Sequence, residues 1–382
     1  MRMKKRRRVI LASALTLAAI VAVVLVRAGA PSSPPPAASP PVSPTATPTP
    51  LPTPSYTPTP TPTAAPESPP YDGPRNPLTG MPSDGEISSR RPMAVILNNR
   101  AIAQPQHGIS EADIIYEAPV EGGITRMLAV YQDTSAVGVL GSVRSARNCF
   151  VDLAQGHDAV LIHAGGSPQA YAAIMNRGVT NIDGVNGGRQ HIFYRDQARL
   201  KKMGYEHSLM TSGELIAEYL PTYKLRLDHG DGYEYGATFA DDGTPADGVS
   251  AAELTVSFSG LKTTSFSLDP PSGQYLVSQY KKPYADGNGG ARVSVTNVLV
   301  LVTSASLIPG DSEGRLDIRL TGGGAGYFAC GGKLVEINWQ KTDATAQFVL
   351  TRKDGTPLTL GRGRSYFCIT PEGANTASSL IN

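Results

Sequence analysis

Ala159-Val160-Leu161-Ile162-His163-Ala164-Gly165-Gly166-Ser167-Pro168-Gln169-Ala170-Tyr171 is the stretch on which the fold class turns. Four apolar residues make a buried-strand run and two glycines break it. Ser167 then stands where a helix N-cap belongs, with Pro168 at the first helical position. The spacing predicts a strand over 159–162 and a helix from 168 to about 176. Upstream the same alternation recurs. Residues 137–143 lead into a helix near 148–155, and 93–97 (MAVIL) form a short strand ending at Asn98-Asn99. Further strands are expected at 114–116 and 127–131, around the turn-forming Gly122-Gly123, and Ser212 caps a last helix to 220. Strands alternating with helices at this interval predict an α/β domain over 75–221.

Beyond a connecting segment at 222–249 the period changes. Leu254, Val256 and Phe258 alternate with polar residues, as do Leu316, Ile318 and Leu320, then Val335, Ile337 and Trp339. Turn signals such as Asp241-Asp242-Gly243 and Asp354-Gly355 punctuate them. This predicts a mainly antiparallel β domain over 250–372, followed by a tail at 373–382. The expected fold is therefore α+β overall.

The N-terminal region is of another kind. Residues 1–8 carry Arg2, Lys4, Lys5, Arg6, Arg7 and Arg8, and 9–26 follow without a charge. Such a run can cross a bilayer as a helix, and the basic cluster keeps its own side cytoplasmic. Ala28-Gly29-Ala30 also reads as a signal cleavage site. Anchor and signal both put the rest of the chain outside the cytoplasm. Residues 27–74 form a linker, with 17 prolines between positions 31 and 70. That composition favours extended polyproline II and reaches at most about 120 Å at ~3.1 Å per residue.

Charge accounting removes a false lead. The formal net charge is +2, but residues 1–70 hold seven basic residues and one acidic one. What remains is 27 basic against 31 acidic residues, so the basic balance is a topology signal and gives no indication of nucleic-acid binding. Cys330 and Cys368 lie in strand-like segments and are the pair that could bridge a sheet; two buried thiols are the alternative. Cys149 reads as a small buried helix residue. No cysteine lies near the apolar run, so a protein anchor is expected and a lipid one is not.

Polar residues concentrate between Ser110 and His207, including Asp113, Arg126, Asp183, His191 and Asp196. Arg144-Ser145-Ala146-Arg147 sits at one strand-to-helix turn and His163 to Gln169 at the next, where α/β sheets bind ligands. Arg126, Arg144 and Arg147 would repel one another unless an anion lies between them, or carboxylates from Glu111, Asp113, Glu117 or Glu121. Gly165 and Gly166 let backbone amides approach a ligand, and the helix start favours an anion. Ser167 is explained by capping alone, and a single histidine such as His163 is more often structural than catalytic. No nucleophile elbow, Walker loop, zinc-protease helix or Cys-x-x-Cys pair is present. Asp311-Ser312-Glu313-Gly314 is too short for a calcium loop and reads as a surface turn.

Asn76-Pro77-Leu78-Thr79-Gly80, Ser110-Glu111-Ala112-Asp113, Glu121-Gly122-Gly123-Ile124-Thr125-Arg126, the Arg144 turn, the His163 turn and Gly331-Gly332-Lys333 resemble the YerB-like lipoprotein family. The resemblance covers about 75–372 and implies two domains of unknown function in a bacterial envelope protein. The lack of an N-terminal cysteine departs from that family's lipoprotein pattern. A looser similarity, to the LytR–CpsA–Psr glycopolymer transferases, implies magnesium held by Asp113 and pyrophosphate bound by Arg144 and Arg147.

Three functions follow as expectations. The chain binds an anionic ligand or cell-wall glycan through Arg126, Arg144, Ser145, Arg147, His163, Gly165, Gly166, Ser167 and Gln169. Alternatively it is a magnesium-dependent transferase or hydrolase, or a non-catalytic structural or regulatory partner of a wall protein. The first needs no cofactor. In each, residues 9–26 hold it to the membrane with the folded part extracytoplasmic.

Overall fold

The structure is a computed structural model, and it describes residues 71–381. The expected basic segment, the anchor or signal at 9–26 and most of the 27–74 linker lie outside the described residues. Among those described, no helix is long and apolar enough to cross a membrane. The fold is mixed α+β, rich in strands and poor in helices.

Strands β1 (Met93–Asn98), β2 (Ile114–Pro119) and β3 (Thr125–Tyr131) are buried along their whole lengths. β3 pairs antiparallel with both of the others, and the link from β2 turns through Gly122 and Gly123 at φ +72° and +70°. Glycine adopts that left-handed geometry without a Cβ clash. β4 (Val160–His163) joins β1 in parallel, and β5 (Asn181–Asp183) joins β4. Between them run α1 (Asn148–Gly156) and α2 (Pro168–Asn176). Ser167 caps α2 by accepting from the Ala170 amide at 3.1 Å. α3 (Gln197–Met203) was not foreseen, because its seven residues carry no apolar stripe; Asp196 is its N-cap, accepting from Arg199 at 2.7 Å. α4 (Gly213–Tyr219) starts at Ser212, as its sequence suggests.

The second half supplies two sheets. β6 (Glu253–Ser259), β7 (Lys262–Asp269) and β8 (Gln274–Gln279) form an antiparallel sheet whose burial alternates residue by residue. β9 (Asn297–Thr303) begins a different set. A short hairpin of β10 (Ala305–Leu307) and β11 (Leu316–Ile318) follows, then β12 (Gly322–Cys330), β13 (Lys333–Lys341) and β14 (Ser365–Pro371). β14 pairs in parallel with β9 on one side and with β2 on the other, Glu117 opposite Cys368. Strands from both halves thereby share one eleven-stranded sheet.

Both faces of that sheet are covered, which is why its strands read as continuous apolar runs. On one face Val95, Ile115 and Met127 meet Val256, Phe266 and Val277 of the second sheet. On the other, Ala94, Ile96 and Leu128 pack on Phe150, Val151 and Ile174 of α1 and α2.

Of the two alternatives open for Cys330 and Cys368, a bridge or two buried thiols, the structure has the buried thiols. Cys330 lies opposite Asn297 and Cys368 opposite Val300, so β9 runs between them, and they face different cores. Two strand spacings of ~4.8 Å exceed the ~7 Å Cα reach of a disulfide. All three cysteines are free and buried, and burial pushes the Cys149 thiol up to about 12.

Candidate functional site

β1 and β4 run parallel, and β3 begins where β1 ends, so Asn98, Arg126 and His163 come to one edge of the sheet. The two polar turns expected to form a site leave from this edge and lie side by side. Ala164 donates to Arg144 O at 3.0 Å, Ala146 to Gly165 O at 2.9 Å and Ser167 to Ala146 O at 3.0 Å. This short ladder fixes the starts of α1 and α2 next to each other.

Most groups at its centre are already satisfied. His163 is fully buried, with Nδ1 2.8 Å from Gly165 O and Nε2 3.2 Å from Asn181 Oδ1. The Gly165 amide donates to Asp183 Oδ1 at 2.7 Å, and Tyr171 Oη donates to Asp183 Oδ2 at 2.6 Å. Burial opposes ionisation of Asp183, yet these bonds hold its carboxyl below the usual range. Gly165, at φ +73°, serves the turn itself, and Gly166 bridges to Ala146.

Two of the three arginines, Arg126 and Arg147, converge on one carboxylate, that of Glu121. Arg147 Nε donates to Glu121 Oε2 at 2.9 Å, and its Nη2 to Oε1. Arg126 Nη2 lies 3.5 Å from Glu121 Oε1, and Nη1 donates to Ser145 O at 2.6 Å. Burial, then the charge of Arg147, pushes the Arg126 guanidinium down to about 9. Burial opposes a charged Glu121, but the Arg147 hydrogen bond and both positive charges hold it at about 2. Arg144 pairs instead with Glu206 at 3.1 Å, a partner the sequence did not single out.

Asp113 stands apart. It immediately precedes β2, whereas Arg126 is opposite Ala118 near that strand's far end, roughly 16 Å away at ~3.3 Å per residue. Its oxygens accept from Asn76 Nδ2 at 2.9 Å and the Gln132 amide at 2.7 Å, and burial raises its carboxyl to about 6. Among the described residues no three His, Cys, Asp or Glu side chains gather as a metal group.

Arg147, Ser167 and Gln169 line a cleft of about 490 Å³. It runs from Asn148 at the start of α1 along α2 to Asn176 and Arg177 at that helix's end. Its far wall is the β10–β11 hairpin, with Ser306, Arg315 and Asp317. The other two arginines are also tied back, Arg177 to Asp152 at 2.5 Å and Arg315 to Asp311 at 2.9 Å. The buried Gln169 Oε1 has no hydrogen-bond partner. Sequence reasoning missed the hairpin half of this cleft. Arg315 follows the turn at Asp311-Ser312-Glu313-Gly314, and nothing local links it to residues 147–177.

Residues 78–226 match the family described as "Protein of unknown function (DUF3048) N-terminal domain", and 254–367 match its C-terminal domain. The chain is 30% identical over 302 residues to the Bacillus subtilis (strain 168) protein described as "Putative lipoprotein YerB". The alignment covers 78% of this chain and 86% of that one. The crystal structure of YerB from Bacillus subtilis superposes with a TM-score of 0.67 at 28% identity, covering 78% of this chain and 97% of that chain. With both matched segments in sequence order and the architecture shared, the chain belongs to the YerB-like DUF3048 family.

Proposed function

We propose that this is an extracytoplasmic, membrane-attached envelope protein whose cleft between α1, α2 and the β10–β11 hairpin binds a glycan. The lipoprotein description of its relative supports the location, as do the basic cluster and uncharged run at 2–26. One observation carries the ligand class: the buried Gln169 Oε1 is an acceptor without a donor. A sugar hydroxyl supplies that donor and also accepts from the arginines and amides around it. A phosphate or carboxylate only accepts.

Charge points the same way. Arg147, Arg177 and Arg315 each already hold a carboxylate, so the cleft offers directed N–H groups with little net positive field. The anion reading of the three-arginine turn is therefore the weaker one. The magnesium-dependent transferase reading needs Asp113 beside Arg144 and Arg147, and the separation along β2 gives it no support. Nothing in the cleft favours a purely structural role.

Titration calorimetry with β-1,4-linked N-acetylglucosamine oligomers, against inorganic pyrophosphate, tests the proposal. Glycan binding is expected to weaken by about fivefold in Gln169→Ala, the worth of roughly one hydrogen bond near 1 kcal/mol. Binding of pyrophosphate in preference to the oligomers would sink the glycan assignment.

A further inference from the structure

A second chamber of about 620 Å³ lies on the helix-bearing face of the sheet, away from the polar cleft. Its walls are Leu78, Tyr116, Phe239, Phe348, Leu358 and Phe367. Two segments, around 235–239 and 346–350, form its rim. Gln347 ties them, accepting from the Gly236 amide at 2.9 Å and donating to Glu234 O at 2.5 Å. A volume in this range with mainly apolar walls is that of a small-ligand pocket.

One end is polar and incompletely satisfied. Lys341 is 2% exposed, and two of its three ammonium donors go to Ala344 O and Ala346 O. It packs against the end of α1, where a Cβ on Gly156 would lie 3.4 Å from Nζ. The next residue, His157, contacts Tyr116 Oη through Nε2 at 2.8 Å, while its buried Nδ1 has no partner. Burial, then the Lys341 charge, lowers His157 to about 4, so the ring is neutral near pH 7. In the tautomer whose Nε2 accepts from the Tyr116 hydroxyl, Nδ1 carries a spare N–H, and an anionic head in the chamber selects that tautomer. The chamber thus pairs a spare ammonium donor and a spare imidazole donor with an otherwise apolar wall.

We propose that this chamber binds a long-chain carboxylate, its alkyl tail among the aromatic and leucine side chains and its two oxygens toward Lys341 Nζ and His157 Nδ1. Charge complementarity selects the head: one buried cation beside one neutral donor suits a monoanion with two acceptor oxygens. A neutral lipid would bring no charge to this ammonium, which Asp152 and Asp343 reach only through space. A phosphate would bring more charge than one lysine balances.

Residues 68–382 form one compact unit with both faces of the main sheet covered, so this fragment is the form to assay. Octanoate, palmitate and hexadecanol, each below its aggregation limit, are titrated and followed by calorimetry. Palmitate is expected to bind at least ~100-fold tighter than octanoate, since eight methylenes are added at a fraction of ~0.8 kcal/mol each. Ala237→Trp, at an exposed position on the chamber wall, is expected to weaken palmitate at least ~10-fold while leaving the fold intact. Lys341→Met should abolish the preference for palmitate over hexadecanol. Equal affinity of the unmodified fragment for palmitate and hexadecanol would overturn the carboxylate assignment. Absence of palmitate binding, or binding unchanged in Ala237→Trp, would overturn the site.

Discussion

Glu117→Ala is expected to destabilise the folded unit by about 3–5 kcal/mol, the cost of leaving a buried charge without its partner, and to lower its melting midpoint by about 6–20 °C. Glu117 on β2 is 0% exposed and Lys262 on β7 is 1% exposed, and they meet at 2.9 Å. Each sits on a different sheet. Four further groups converge on the same carboxylate: Asn99 Nδ2 at 2.8 Å, Thr125 Oγ1 at 2.5 Å, Thr264 Oγ1 at 2.8 Å and Tyr366 Oη at 2.6 Å. The hydroxyls are themselves fed by donors. Lys262 donates to Thr264 Oγ1, Asn99 to Thr125 Oγ1 and Gln279 to Tyr366 Oη. Every lone pair of Glu117 is therefore used by a group whose own geometry is fixed.

That arrangement decides how the double variant should behave. An isolated buried pair can often be replaced by two apolar residues at little cost. Here Glu117→Leu with Lys262→Met would also orphan the hydroxyls of Thr125, Thr264 and Tyr366, at about 1–3 kcal/mol for each buried group left unsatisfied. The double variant should stay at least ~2 kcal/mol below the unmodified protein, and lose less than the sum of the single changes. Urea unfolding of the four proteins measures both quantities. A loss under ~1 kcal/mol for Glu117→Ala would mean that water reaches the pair.

The same residues show what local sequence could reveal. Caps at Ser167 and Ser212, the turn at Gly122-Gly123 and the strand ending at His163 depend on neighbours within a few positions, and they were legible. Lys262 held a readable sign, since it shares the buried phase of β7 with Thr264 and Phe266. Its partner could not be read, because Glu117 looks in sequence like one more carboxylate for the arginine turn and meets Lys262 only through sheet packing. The β2–β14 pairing is hidden for the same reason: residues 114–117 and 365–368 pair by register, with no turn between them to announce it. Half of the polar cleft was visible in the starts of α1 and α2, and the hairpin half was not. The chamber at Lys341 and His157 left no trace in the sequence, because apolar walls from six distant segments look like ordinary core.

Glu121→Gln is expected to produce the second large effect, and pH separates it from a simple packing loss. The carboxylate holds Arg147 through two hydrogen bonds and sits 3.5 Å from the buried Arg126, whose side chain is 3% exposed. Removing its charge leaves two neighbouring guanidiniums facing each other, at a cost of about 2–3 kcal/mol near pH 7 once the 23% exposure of Glu121 is allowed for. Its carboxyl lies at about 2 in the folded protein, below the ~4.3 of an unfolded chain. A depressed carboxyl adds stability that is complete above the unfolded value and is lost as pH falls through the folded one. Between pH 4.5 and 2 the unmodified protein should therefore lose about 2 kcal/mol more than Glu121→Gln. Asp113 acts with the opposite sign and in a different window. Its raised carboxyl favours the folded state at low pH, and that contribution fades as pH rises from ~3.9 through about 6. Urea unfolding at pH 7, 4.5, 3 and 2 distinguishes the two, since only Glu121→Gln should flatten the acid limb while leaving the slope between pH 4.5 and 7 unchanged. Parallel curves for variant and parent below pH 4.5 would show that Glu121 is not the group that holds the arginine turn together.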